Sequence, residues 1–523
     1  MPSTSVLTIF VAVLASLLEI IDTSIVNVAL PTMMGSLGAT LEDISMVVTG
    51  YAIANAIVLP LSAWLSERIG RRKYYLGCIL AFTLASVACG LAPNLFSLTA
   101  FRIIQGFMGG ALLPTSQALI YEQFPKEKAG MAGAIFGMSV MIGPALGPVL
   151  GGYLTDNYGW RSIFNVNLPL GLLALLVGSS VIFDRVKTPE EKAAQEKSKH
   201  SFDSVGLFLL VAGIGCLQFV LERGEADDWF SSPTICIATL IAMVSLPLFV
   251  WWEMRIENPV LNIRLFLDPI VRWGVLLMAC LGFFLYGLVF ILPVFVGRMY
   301  HYTATQTGEL FIPGSILTFF MMPFVGKAMQ RGINPKILIF VGLTAIELCI
   351  YLLLDFNPQT SRSDILTMLY VRGFAMAFMF VPINSSILSQ FSGQTVGQVA
   401  GLLNLCRQIG GSVGIALIAT LLAVNSKQNY LDLASKITLL DSNTAITVVQ
   451  TAGSSLTKFG KDLGFANGSD LAFRSIAMRL QTQSFMLSFI QLVWVIMIIF
   501  GLSYIPLYFL NFKRKGTTVS DAH

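Results

Sequence analysis

Charge is scarce in this sequence. Only 12% of the 523 residues are charged, against roughly 25% in soluble globular chains, which is too little to cover a soluble surface of this size. Histidine is rarer still. His200, His301 and His523 lie in loops or at the terminus, so no histidine inside an apolar stretch is available for a metal, a haem or a proton relay. The cysteines (Cys78, Cys89, Cys216, Cys236, Cys280, Cys349 and Cys406) all sit within apolar stretches and none forms a CxxC pair. That excludes a disulfide framework or a zinc site and leaves them as small packing residues. No GxxxxGK[ST] loop occurs, which argues against ATP as an energy source. A net charge of +4, dispersed along the chain, gives no footprint for nucleic acid. The first residues lack a basic n-region, and their apolar run continues from Val6 to Leu30 through Glu19 and Asp22. The expectation is a first spanning helix rather than a cleavable signal peptide.

What the sequence has instead is hydrophobic residues, 55% of the chain, in runs of the length that crosses a bilayer. The runs predict fourteen spanning helices, near 6–30, 45–65, 74–92, 96–120, 130–154, 163–183, 203–221, 233–252, 271–297, 307–328, 336–355, 364–388, 397–424 and 484–510. Pro313 and Pro323 interrupt the tenth. With the N-terminus inside, inside loops collect Arg68, Arg71, Arg72 and Lys73, Lys126 and Lys128, the basic residues of 185–199, Arg255, Arg264 and Arg272, Lys327, Arg331 and Lys336, and the tail 513–515. The short outside loops hold only Arg161, Arg223, Arg298 and Arg362. That asymmetry predicts both termini in the cytoplasm.

The pattern repeats. Pro60–Lys73 and Pro323–Lys336 share one offset of 263 through Pro60/Pro323, Arg68/Arg331 and Lys73/Lys336. Pro31 and Pro293, at an offset of 262, precede these segments, and Gln105–Pro114 and Arg372–Pro382, then Ala129-Gly130 and Ala400-Gly401, follow them in order. The sequence thus divides into a six-helix half (1–185), a two-helix insert (186–260) and a second six-helix half (261–523). Parallel halves of this kind imply a rocking transporter with its cavity at their interface.

Four segments carry a recognisable pattern: IDTSIVNVALP (Ile21–Pro31), AWLSERIGRRK (Ala63–Lys73), RIIQGFMGGALLP (Arg102–Pro114), and GPALGPVLGGYL (Gly143–Leu154) followed by WRSIFNVNLPLG (Trp160–Gly171). Together they resemble the fourteen-helix drug:proton antiporters of the major facilitator superfamily. The resemblance covers nearly the whole chain and is weakest over 425–483. It implies an all-α membrane fold of six, two and six helices in a bacterial inner membrane. The implied activity is export of amphipathic drugs driven by the proton gradient, without a cofactor. It also implies, as partners, a periplasmic adaptor and an outer-membrane channel, with the outside segment 425–483 a docking site. Within the family pattern Glu67, Arg68, Gly70, Arg71 and Arg72 form a conformational latch, although this chain has Ala63 and Glu67 where the pattern has Gly and Asp. Gly143, Pro144, Gly147, Pro148, Gly151 and Gly152 form the antiporter motif. The residues themselves allow plainer readings. The basic cluster suits positive-inside topology and can pair with a carboxylate and helix C-termini. The glycines make a smooth ridge for helix packing, and the prolines remove backbone donors.

Ionisable groups inside the membrane are costly, about 2.5–3.5 kcal/mol each at the centre, and so are functional candidates. Asp22 lies eight residues before Leu30 and Arg102 six residues into the fourth helix, roughly 12 and 9 Å from the outer face at about 1.5 Å per residue, so the two can pair. Glu19 lies three residues before Asp22, and the two carboxylates are expected to line one surface. They are the candidate proton or cation site, with Arg102 tuning Asp22; a structural ion pair is the plainer alternative. Arg407 and Arg372 are the corresponding charges of the second half, Arg407 a candidate for binding an anionic substrate or holding Glu19. Asn27, Gln105, Phe283, Tyr286, Phe374 and Phe378 are candidate walls of the substrate cavity, against a role as lipid-facing bulk. The stretch Ser469–Gln483 is expected to form an amphipathic helix on the outer surface.

Three functions compete. The first is a proton-driven exporter of amphipathic drugs or similar toxic compounds. The second keeps the fold and exports one specific metabolite, fatty acid, siderophore or lipid. The third is a membrane-embedded lipid transferase. It needs paired acidic metal motifs at a membrane face, and the sole Asp-Asp pair, Asp227-Asp228, lies in an outside turn without a second motif.

Overall fold

The computed structural model describes residues 3–183, 203–256, 259–435 and 468–511. The helices long and apolar enough to cross a membrane number 14 among the described residues. They are α1 (Ser3–Leu37), α2 (Leu41–Ile69), α3 (Arg71–Gly90), α4 (Leu95–Glu122), α5 (Ala129–Tyr158), α6 (Ser162–Val181) and α7 (Ser204–Arg223). There follow α8 (Pro233–Glu253), α9 (Pro269–Tyr300), α10 (Ala304–Gln330), α11 (Pro335–Leu354), α12 (Arg362–Leu388), α13 (Gln394–Ser435) and α14 (Gly468–Leu502), the last continued by a short helix, Tyr504–Phe509. An even number of spans puts both described ends on one face of the bundle.

The opposite face is held by side-chain caps, which satisfy the backbone donors a helix start leaves open. Thr40 accepts from the Asp43 amide at the start of α2, and Thr303 and Gln306 form a capping box at the start of α10. Thr40 and Thr303 lie 263 apart, the offset of the Pro60 repeat. Asn94 with Ser97 and Ser361 with Asp364 box the starts of α4 and α12 in the same way.

Packing repeats as well. A Cβ at Gly151 of α5 would meet the Ile25 carbonyl of α1 at 2.8 Å, and one at Gly414 of α13 would meet the Phe283 carbonyl of α9 at 3.0 Å. Lipid tails are as apolar as leucine, so close backbone approach of this kind is what holds membrane helices together. Between the halves, Gly130 of α5 packs on Gly326 of α10, while Gly401 of α13 packs on the Leu59 carbonyl of α2. The insert helices α7 and α8 pack on each other, and α7 also touches α2 and α13.

Three expectations change. The tenth helix runs unbroken through Pro313 and Pro323, because the neighbours of a buried membrane helix re-satisfy the carbonyls that proline frees. The fourth is broken, into Leu95–Gly109 and Leu112–Glu122. Gly109 and Gly110 favour flexibility there, and Pro114 cannot donate to the Gly110 carbonyl. The outside segment 425–483 is shorter than its polarity suggests. α13 continues to Ser435, and α14 begins at Gly468. Ser469–Gln483 is therefore the first part of α14 and not a separate helix on the surface. Residues 436–467 of the expected docking segment lie outside the described residues.

Candidate functional site

Asp22 is fully buried on α1 and accepts three hydrogen bonds. Arg102 Nη1 of α4 donates to Oδ2 at 2.5 Å, while Gln105 Nε2 and Asn167 Nδ2 donate to Oδ1, each at 2.8 Å. Arg102 Nη1 also donates to Gln105 Oε1 at 2.9 Å, and the guanidinium lies 4.1 Å over the Tyr51 ring of α2. Asn167 of α6 reaches on to Ser86 Oγ of α3 at 3.0 Å. One carboxylate thus ties α1 to α4 and α6, and through Asn167 to α3. Burying such a pair is costly unless its remaining lone pairs and protons are satisfied, and here Gln105 and Asn167 satisfy those of the carboxylate.

Glu19, 3% exposed, has a different environment. Asn55 Nδ2 of α2 donates to Oε1 at 2.8 Å and the Leu113 amide donates to Oε2 at 3.1 Å. That amide is free because α4 breaks just before it, at Gly110-Ala111. Glu19 therefore caps the second segment of α4, where the helix dipole favours an anion. Among the described residues, no cation lies within ion-pair distance of it. Glu19 and Asp22 do share the side of α1 that faces α4, but they hold separate sets of partners and form no joint carboxylate pair.

Beyond α4 the interface between the halves is polar. Gln117 donates to Asn384 Oδ1 of α12 at 2.7 Å and accepts from Asn404 Nδ2 of α13 at 2.6 Å. The hydroxyls of Tyr121 and Ser385 meet at 3.2 Å. Arg407 of α13 donates to Tyr286 Oη at 2.9 Å and to Asn404 Oδ1 at 3.3 Å. Arg372 of α12 lines a small cavity between the halves.

The proposed cavity walls divide. Tyr286 faces the interface through Arg407, and Gln105 belongs to the Asp22 network. Asn27 is exposed and donates to the Thr23 carbonyl of its own helix. The Phe283 ring packs edge-on against Phe500 of α14, 5.7 Å between centroids. Phe374 and Phe378 stack on each other at 4.2 Å. They lie on the opposite side of α12 from Arg372, Met376 and Phe380, which face the other half. These helices are apolar all round, so their sequence does not say which ring faces inward. Asn55, Asn167, Gln117, Asn384 and Asn404 were not singled out from the sequence. The signal was present, since amides inside apolar runs must find partners in the bundle.

At the basic turn Gly70 adopts φ +94°, which suits glycine alone, and ends α2 while opening α3. Arg71 pairs with Glu122 at the end of α4 at 2.6 Å, and Arg72 donates to the Ser179 carbonyl in the last turn of α6 at 2.6 Å. Arg68 lies over the Trp64 ring, and Glu67 is half-buried beside it. The cluster thus meets both a carboxylate and a helix C-terminus. On α5, Gly143, Gly147 and Gly151 fit against Ile20, Ser24 and Ile25 of α1, and Ser24 donates to the Gly143 carbonyl at 3.1 Å. Gly152 and Pro148 face α10 of the other half at Thr305 and Gly308, and Pro144 lines the Arg372 cavity.

The model of the Major Facilitator Superfamily matches residues 12–415. The multidrug export protein EmrB of Escherichia coli (strain K12) is 32% identical over 446 residues, 85% of each chain. The fatty acid resistance protein FarB of Neisseria gonorrhoeae is 32% identical over 457 residues, 87% of this chain and 88% of its own. Among solved structures, the human organic anion transporter MFSD10 (TETRAN) superposes with a TM-score of 0.59 at 15% identity, covering 98% of this chain and 100% of that one, a likeness of fold alone. A multi-pass bundle of fourteen spans, with broken and glycine-packed helices around a polar interface of two halves, is thus matched by both sequence and fold, and the chain belongs to the major facilitator superfamily of transporters.

Proposed function

We propose that this transporter is a proton-coupled exporter of amphipathic compounds, working by alternating access across a bacterial inner membrane with both termini in the cytoplasm. The observation that carries the reading is Glu19. It is a buried carboxylate held by two neutral donors, with no ion pair among the described residues to break when a proton arrives or leaves. It sits against the break in α4 and beside the polar interface, so a change in its charge bears on both. Asp22 serves as an anchor, its charge committed to Arg102. The relatives' names, a multidrug export protein and a fatty acid resistance protein, support a cargo of amphipathic compounds. Basic residues concentrated on the termini-bearing face support the orientation.

The long helices α13 and α14 support a partner on the far face. At about 1.5 Å per residue α13 spans roughly 63 Å, twice the hydrocarbon thickness. Near that end it pairs with α14 through Asn429 to Ser488 at 2.9 Å and Ser484 to the Ser426 carbonyl. A rigid pair of helices projecting there is a seat for a periplasmic adaptor leading to an outer-membrane channel.

The test is uptake of an amphipathic dye into inverted vesicles, with and without a proton gradient. Wild-type accumulation is expected to stop when the gradient is collapsed. Glu19→Gln is expected to lose gradient-driven accumulation while retaining dye exchange between the two sides. Accumulation indifferent to the gradient, or a fully active Glu19→Gln, would overturn the proposal.

A further inference from the structure

Arg372 is 5% exposed, yet among the described residues no carboxylate pairs with it and its Nε has no hydrogen-bond partner. The Phe311 ring lies 5.5 Å from the guanidinium carbon. It lines a cavity formed by Met141 and Pro144 of the first half and by Leu285, Phe311, Ser315 and Met376, among others, of the second. The space open to water there is about 10 Å³, room for roughly one molecule. One water cannot satisfy a guanidinium with five N–H donors. Arg102, by contrast, has Asp22, and Arg407 has Tyr286 and Asn404.

We propose that this cavity is the recognition site for the carboxylate of an anionic amphiphile, with Arg372 its counter-ion. A guanidinium fork matches a carboxylate in bidentate geometry. Ser315 supplies a further hydroxyl. Thr318 does not, because its proton is committed to the carbonyls of Gly314 and Gly373. The methionine, leucine and phenylalanine walls take the apolar tail. The walls come from both halves, so the site is shut in this structure and opens when α5 parts from α10 and α12. The charge of Arg372 is uncompensated while the site is empty, and the arriving carboxylate supplies what the protein withholds. The inference rests on the export reading for its physiological role and names the cargo class of that transporter. The binding itself does not depend on proton coupling.

The experiment measures binding of radiolabelled laurate and of dodecyltrimethylammonium, a probe of opposite charge, to the full chain in nanodiscs, with empty discs subtracted. Arg372→Gln is expected to weaken laurate at least about tenfold while leaving the ammonium probe and the melting temperature unchanged. Arg372→Lys, which keeps the charge without the fork, is expected to fall between, and Ser315→Ala to lose a smaller share. Equal laurate affinity in Arg372→Gln, a parallel loss of both probes, or no laurate binding to the wild type would overturn the site. Flux in proteoliposomes separates the two readings. Laurate binding through Arg372 without gradient-driven efflux leaves the site standing and sinks the export reading. Efflux of the ammonium probe without laurate binding does the reverse.

Discussion

At the scale of single residues, the Asp22–Arg102 pair was legible and its completion was not. Counting depth along two helices was enough to place opposite charges within reach. Gln105, Asn167 and Tyr51 enter through the rotation of α4, α6 and α2, which an all-apolar helix does not encode in its pattern. The pair itself should behave as a buried ion pair whose halves depend on each other. Asp22→Asn alone strands the Arg102 guanidinium, and Arg102→Gln alone strands the carboxylate, so each is expected to cost about 3–5 kcal/mol. The double variant is expected to cost clearly less than the sum of the two, with a coupling energy of about 1–3 kcal/mol. Thermal unfolding of the four proteins in one detergent measures this cycle. Strict additivity would mean that Asp22 and Arg102 act separately and that the short contact carries no energy.

At the scale of elements, α5 has two faces with different duties. Gly143, Gly147 and Gly151 fit against α1 of the same half, while Gly152 and Pro148 meet α10 of the other half at Thr305 and Gly308. A side chain at the first kind of position is an overpacking error within one half. Gly147→Val is expected to destabilise by about 1–3 kcal/mol, seen as a lower melting temperature and yield. A side chain at the second kind intrudes between the two halves. Gly152→Val is expected to melt like the wild type and to lose most transport, because its Cβ would stand 2.7 Å from Thr305 Oγ1 and keep α5 from closing on α10. If Gly152→Val melted as low as Gly147→Val, the division of the two faces would be wrong. The count of helices and their repeat were legible, because apolar length and the Pro60/Pro323 offset are properties of the chain itself. The ends of α13 and the start of α14 were not, since polar turns of helix beyond the bilayer have no hydropathy signal. The break in α4 did leave one, in Gly109, Gly110 and Pro114, and it proves to matter because it frees the amide that holds Glu19.

At the scale of the whole molecule, the halves are clasped on the termini-bearing side. Gln117 of α4 joins Asn384 of α12 and Asn404 of α13, Tyr121 meets Ser385, and Gly130 packs on Gly326. The clasp is built from neutral amides and hydroxyls, which can break and re-form without stranding a charge. Such an interface suits a transition between states a few kcal/mol apart. Gln117 is its hub, donating to one helix of the second half and accepting from another. Gln117→Leu removes both bonds and leaves the Asn384 acceptor and an Asn404 donor without that partner, so the closed arrangement should lose about 1–3 kcal/mol relative to one in which water reaches the amides. That corresponds to a population shift of roughly five- to 150-fold toward opening on the termini-bearing side. Spin labels at Gln123 and Gln390, just past the ends of α4 and α12, would report it as a longer distance with a larger share in the variant than in the wild type. Arg102 and Asp22 lie elsewhere in the first half, so the melting temperature should move far less than in the ion-pair variants. An unchanged distance distribution in Gln117→Leu would show that the glycine contacts hold the halves closed without the amides, and the coupling between Glu19 and the interface would then have to run through α5 and α10 instead.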